Sequence, residues 1–123
     1  MILKNKLYEV IKQNKEDSTV WIELKPDCFI YDSHFPELPI TPGVCIIQIA
    51  KELICGLMGF DLELDSIANA KFLAVINPNT TRFLEYNFNK IKFYEDNSVF
   101  KVSVVVSCNK TIFSKLSVCY KKK

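Results

Sequence analysis

TPGVCIIQIAKELICGLM, residues Thr41–Met58, is the stretch on which the fold turns. Thr41 can serve as the N-cap of a helix with Pro42 at its first position, the place each residue type favours. Gly56 and Gly59 both offer a C-cap. Apolar residues occupy nearly the whole circumference of the run between them, which predicts a helix over about residues 42–58 enclosed by protein. The exceptions line up: Gln48 and Glu52 are four apart on one face, with Lys51 beside them. Those polar residues also rule the run out as a membrane span.

Upstream, residues 25–42 hold Pro26, Pro36, Pro39 and Pro42, which fix φ repeatedly and predict a rigid loop without helix. Before the loop, Leu7–Gln13 and Thr19–Leu24 have strand composition and are joined by polar residues, as in a hairpin. Downstream, Ser66–Ile76 reads as a strand and Asn77–Asn79 as a turn. Strands then follow at Arg82–Tyr94, Val99–Ser107 and Thr111–Tyr120, separated by turns at Glu95–Ser98 and Cys108–Lys110. Long strands with short turns give an antiparallel meander. The expected architecture is α+β: a curved antiparallel sheet wrapped around one long helix, with Lys121–Lys123 as a solvated tail.

Composition bounds the function. The 123 residues are 49% hydrophobic and 12% aromatic, enough for one core and one domain over residues 1–123, and too apolar for a disordered chain. Sixteen Lys plus Arg against fourteen Asp plus Glu leave +2. Arg82 is the only arginine, which argues against nucleic acid as a partner. The five cysteines (Cys28, Cys45, Cys55, Cys108, Cys119) contain no CxxC pair, and one histidine cannot anchor a zinc cluster, so no metal is expected. The opening residues meet charge after three positions and lack a signal-peptide core. A cytoplasmic protein with reduced thiols is expected.

His34 is the sole histidine and stands just before the proline brace that feeds the helix. It is either an inconsequential loop residue or a base held beside the free backbone N–H groups of the helix start. Gly43 would let a ligand approach those amides closely. Gln48 and Glu52 either hydrogen-bond to neighbouring elements or across an interface, or belong to a site. The helix cysteines read as small core residues.

The segment His34-Phe35-Pro36-Glu37-Leu38-Pro39-Ile40-Thr41-Pro42-Gly43-Val44 resembles the HFPxxPxxPGV signature of the 3-hydroxyacyl-ACP dehydratases of fatty-acid synthesis, which have the hot-dog fold. Ala70-Lys71-Phe72, followed by Val75-Ile76-Asn77-Pro78, is similar to that family's strand ending in a proline turn. The three closing strands match as well. The resemblance implies that His34 removes the α-proton of a (3R)-hydroxyacyl thioester and that the Gly43 amide polarises its carbonyl, giving a trans-2-enoyl product. It implies substrate contacts from Phe35, Val44, Ile47, Leu57 and Phe72. The family's helix acid, supplied by the other protomer, falls fourteen residues after the histidine, and here that residue is Gln48. An amide cannot deliver a proton at neutral pH. Glu52 stands where the family usually has glutamine, as though the two types were exchanged, which makes Glu52 a candidate acid.

No metal or organic cofactor is implied beyond the phosphopantetheine of acyl carrier protein (ACP), the implied partner. A homodimer or higher assembly is implied, or a heterodimer with a related subunit. Similar hot-dog proteins serve bacterial pigment pathways, some as paired subunits. The competing readings are a non-catalytic acyl-ACP-binding subunit and a hot-dog acyl thioesterase.

Overall fold

The computed structural model describes residues 2–33, 37–94, 96 and 98–123. Six strands form one curved antiparallel sheet: β1 (Tyr8–Asn14), β2 (Thr19–Leu24), β3 (Leu62–Phe72), β4 (Phe83–Tyr94), β5 (Val99–Cys108) and β6 (Thr111–Lys122). Two helices, α1 (Phe29–Ser33) and α2 (Gly43–Met58), lie between β2 and β3. No described helix is long and apolar enough to cross a membrane.

The sheet order is β1-β2-β4-β5-β6-β3, so the expected meander holds for β4-β5-β6 but β3 crosses to the far edge beside β6. Sequence order could not reveal this. The sixteen-residue α2 separates β2 from β3, and such a crossover frees β3 from pairing with its neighbours in the chain. Alternation on the inner face builds the core. Val102, Val104 and Val106 of β5 and Leu116, Val118 and Tyr120 of β6 are buried beside Tyr86 and Phe88 of β4.

Three local expectations are corrected. The loop before α2 does contain helix, the single turn α1, because the gap between Pro26 and Pro36 leaves room for one. The strand expected at Ser66–Ile76 is β3 at Leu62–Phe72, and beyond it Leu73 and Ala74 donate to the Phe113 carbonyl. Lys121 and Lys122 are not a free tail. They close β6, with Lys121 3.8 Å from Glu63 and the Lys122 ammonium 4.7 Å from the Phe60 ring centre.

Helix α2 packs on the sheet through Cys45, Ile46, Ile49, Ala50, Leu53 and Ile54, and the Tyr86 hydroxyl donates to the Ile46 carbonyl at 3.1 Å. It is not enclosed on every side within the chain: Val44 is 71% exposed, and Ile47, Cys55 and Leu57 are only partly buried. The free cysteines include Cys45, whose thiol burial and the neighbouring Cys28 push up in pKa, as suits a core residue rather than a nucleophile.

Four tyrosines respond to the same burial. The Tyr31 phenol is pushed up to about 12, and burial raises Tyr8, Tyr86 and Tyr120 as well. A raised folded-state pKa contributes stability that is complete below the unfolded value near pH 10 and fades as pH rises through the folded one. Alkaline titration is therefore expected to release the tyrosinate absorbance of these residues together with loss of far-ultraviolet dichroism, above pH ~10. Ionisation of all tyrosines near pH ~10 with the dichroism intact would contradict this packing.

Candidate active site

The site is built around the start of α2. Thr41 is buried, but its hydroxyl is taken by the Tyr31 hydroxyl at 2.8 Å and its N–H by the Ile76 carbonyl at 2.8 Å. It therefore does not cap the helix as expected. Pro42 is the N-cap residue, with an extended backbone and no side-chain cap, and its carbonyl accepts from Cys45 and Ile46 at 3.0 and 3.1 Å. The amides of Gly43 and Val44 stand ahead of that ladder, at the positive end of the helix dipole. Thr41 instead anchors the loop both to α1 and to the segment that follows β3.

That anchoring shapes a cavity of about 470 Å³ between the α2 start and the end of β3, lined by Ile40, Gly43, Ile46, Phe72, Leu73 and Val75 among others. Its walls are mostly apolar. A Cβ on Gly43 would fall 2.9 Å from Cζ of Phe72, so a larger residue at this edge would make that half-exposed ring shift. Of the expected substrate-contacting residues, Gly43 and Phe72 are brought together here. Val44 points to solvent, and Ile46 lines the cavity where Ile47 was expected to. Leu57 sits toward the other end of α2. His34 and Phe35 lie outside the described residues. The apolar run from Leu73 to Ile76 was the available signal for the remaining wall, but it was read as continuing strand.

Gln48 and Glu52 do share a face, and they bond to each other: Gln48 Nε2 donates to Glu52 Oε2 at 2.8 Å. A carboxylate only accepts, so this contact fixes which end of the Gln48 amide faces it. Glu52 takes three further donors. The Leu3 N–H reaches Oε2 at 2.8 Å, the Lys4 N–H reaches Oε1 at 2.8 Å, and the Tyr8 hydroxyl reaches Oε1 at 2.9 Å. Four donors match the roughly four lone-pair sites of a carboxylate. As placed, Glu52 ties the N-terminal segment to α2 and has no lone pair left for a substrate hydroxyl. The bonds from residues 3, 4 and 8 carry no local sequence signal, since they span more than forty positions.

Removing this carboxylate is expected to be costly. Charge-assisted bonds contribute more than neutral ones, and Glu52→Leu strands two backbone donors and the Tyr8 hydroxyl. A loss of about 2–4 kcal/mol is expected in urea unfolding at unchanged slope. Lys51→Leu, its neighbour, should change stability by less than about 0.5 kcal/mol. Equal stability of the Glu52→Leu variant and the parent would show that the four bonds do not form in solution.

Residues 10–115 match the model of the ApeI-like family, described as ApeI dehydratase. No curated protein matches the sequence. Among solved structures, the dehydratase heterocomplex ApeI:P from Xenorhabdus doucetiae is similar at 18% identity and TM-score 0.64, covering 92% of this chain and 96% of that one. Cj0977, a sigma28-regulated virulence protein from Campylobacter jejuni, is similar at 12% identity and TM-score 0.71, covering 98% and 88%. A candidate thioesterase from Shewanella oneidensis is similar at 12% identity and TM-score 0.60, covering 95% and 84%. At these identities the structural likenesses show the fold alone, which is the α+β hot-dog fold.

Proposed function

This chain belongs to the ApeI-like dehydratase family, and from that premise we propose that it dehydrates (3R)-hydroxyacyl-ACP to trans-2-enoyl-ACP in fatty-acid or related polyene synthesis. The observation that carries the proposal is the apolar cavity opening at the uncapped start of α2, beside Gly43. An acyl chain needs an apolar slot, and a thioester carbonyl that gains charge during α-proton removal needs N–H donors at its mouth. His34 takes the proton. Gln48 hydrogen-bonds the departing hydroxyl without supplying a proton to it, and the proton that His34 has taken passes to that hydroxyl so that it leaves as water. The phosphopantetheine arm of ACP presents the substrate, and no metal or organic cofactor takes part.

A specific observation favours a second reading. Glu52 is committed to four donors and Gln48 occupies the acid position, which suits an acyl-ACP-binding subunit whose active partner supplies the acid. The fold also supports an assembly. Strand β3 is a sheet edge with Leu64, Ile67 and Phe72 exposed, and an open apolar edge is a template for pairing with another chain. We therefore propose a homodimer, or a heterodimer with a related subunit, joined at β3. Light scattering at micromolar concentration should give at least twice the monomer mass, and a monomer mass would refute a self-assembled dimer.

The cavity assignment is tested with a non-hydrolysable 3-hydroxyacyl-pantetheine amide followed by amide-resolved NMR. The expected shifts fall on Ile40, Gly43, Ile46 and Leu73. Saturable binding that leaves these residues unmoved would place the acyl chain elsewhere.

A further inference from the structure

Among the described residues, three non-aromatic polar side chains are buried in the core: Thr19, Thr41 and Ser114. A buried hydroxyl without a partner costs free energy that an alanine would avoid, so such groups normally have one. Thr19 donates to the Asp17 carbonyl and accepts from the Asn87 amide, and Thr41 shares a bond with the Tyr31 hydroxyl. Ser114 has none. Its side chain is wholly buried, and it is one of two buried side-chain oxygens without a hydrogen bond among the described residues. The other belongs to Tyr120, six residues further along β6, about 20 Å away by strand rise.

Strand register places Ser114. One row crosses the inner face of the sheet: Phe72 on β3, Ser114 on β6, Val106 on β5 and Tyr86 on β4. Residues directly opposite each other share a face, and Val106 and Tyr86 are fully buried. The two ends of this row meet the first turn of α2. The Phe72 ring stands against Gly43, and the Tyr86 hydroxyl donates to the Ile46 carbonyl. Ser114 therefore lies under the Gly43–Ile46 turn, next to the ring that lines the cavity. Phe72 is half exposed, so its ring has room to change rotamer, and with the ring turned the serine hydroxyl joins the cavity wall.

We propose that Ser114 is a substrate-binding residue whose hydroxyl donates to the 3-hydroxyl of the acyl chain. The proposal rests on the dehydratase reading above, and the chemistry of that substrate leaves one candidate. A 3-hydroxyacyl thioester has two polar groups on its acyl portion. Its carbonyl is drawn to the amides at the α2 start. The other group, two carbons further along the chain, is the 3-hydroxyl. Thr41 also lines the cavity, but its hydroxyl is taken by Tyr31. A substrate hydroxyl has two lone pairs and one proton, so it can accept from Ser114 and still bond to Gln48. Its oxygen gains negative charge as the bond to C3 breaks, and a donor aimed there counts most at that point. Ser114 gives up no proton in this role. An apolar slot with one unpartnered hydroxyl also discriminates, since a plain chain leaves that hydroxyl unsatisfied.

Calorimetry with two ligands of equal chain length, the 3-hydroxyacyl-pantetheine amide and the plain acyl-pantetheine amide, tests this. The parent should bind the first about tenfold more tightly. Ser114→Ala should lose most of that preference while its affinity for the plain amide stays the same. It should melt at or above the parent temperature, because no bond is lost in the free protein. Its kcat for water loss should fall about tenfold. Equal binding of the two amides by the parent would overturn the inference whatever the variant does. So would a Ser114→Ala variant that keeps the preference, or one that melts lower and weakens both amides alike, which would make the serine purely structural. If the parent binds both amides equally, the Ser114 inference alone fails; if it binds neither, the functional reading fails and takes the inference with it.

Discussion

His34→Ala is expected to lower the rate of water loss from a 3-hydroxyacyl thioester by about 10²–10⁴-fold, the usual contribution of a general acid–base group. Ser33 closes α1 on one side of the motif, and on the other Thr41 is pinned to both Tyr31 and Ile76. Ser33 and Thr41, which flank the segment carrying the only histidine, are both held by hydrogen bonds, and Thr41 adjoins the Gly43 edge of the cavity. No other side chain in the chain is an imidazole, so nothing nearby can take over proton removal near neutral pH. Thermal stability and binding of the pantetheine amide should be nearly unchanged. A variant that keeps the parent rate would show that His34 is a bystander.

Gln48→Glu should raise the rate by a comparable factor, about 10²–10⁴. The Gln48 amide lies 2.8 Å from a Glu52 oxygen, so the substitution sets two carboxyl groups within hydrogen-bonding distance. Two carboxyl groups that close resist ionising together, so the pair holds one proton more readily than a lone carboxylate does. That proton is the one the departing hydroxyl needs. Since all four lone-pair sites of Glu52 are filled by Leu3, Lys4, Tyr8 and Gln48, the parent lacks a comparable donor. A large gain would place the parent among slow dehydratases or partner-dependent subunits. No gain, together with lost activity in Glu52→Gln, would instead make Glu52 the working acid and contradict its purely structural placement.

Much of this was legible in the residues, for identifiable reasons. Helix α2 is marked by proline and glycine at its start and by a left-handed Gly59 at its end, all local chemistry. β2 is found where its strand composition puts it, at Thr19–Leu24. Gly43 and Phe72 were both singled out, and they meet at the cavity edge. What escaped is non-local. The place of β3 depends on a crossover, and the Thr41 hydroxyl turns to Tyr31 instead of the helix because folding brings α1 beside it. Glu52 looked available as an acid until the N-terminal segment folded onto it.

The most direct measurement is incubation of the purified protein with a 3-hydroxyacyl-ACP, alone and with a candidate partner subunit, following the acyl-carrier mass. The account predicts loss of one water to give enoyl-ACP, slow in the parent alone, absent in His34→Ala and faster in Gln48→Glu. An unchanged mass in every mixture, with the substrate bound but intact, would contradict it.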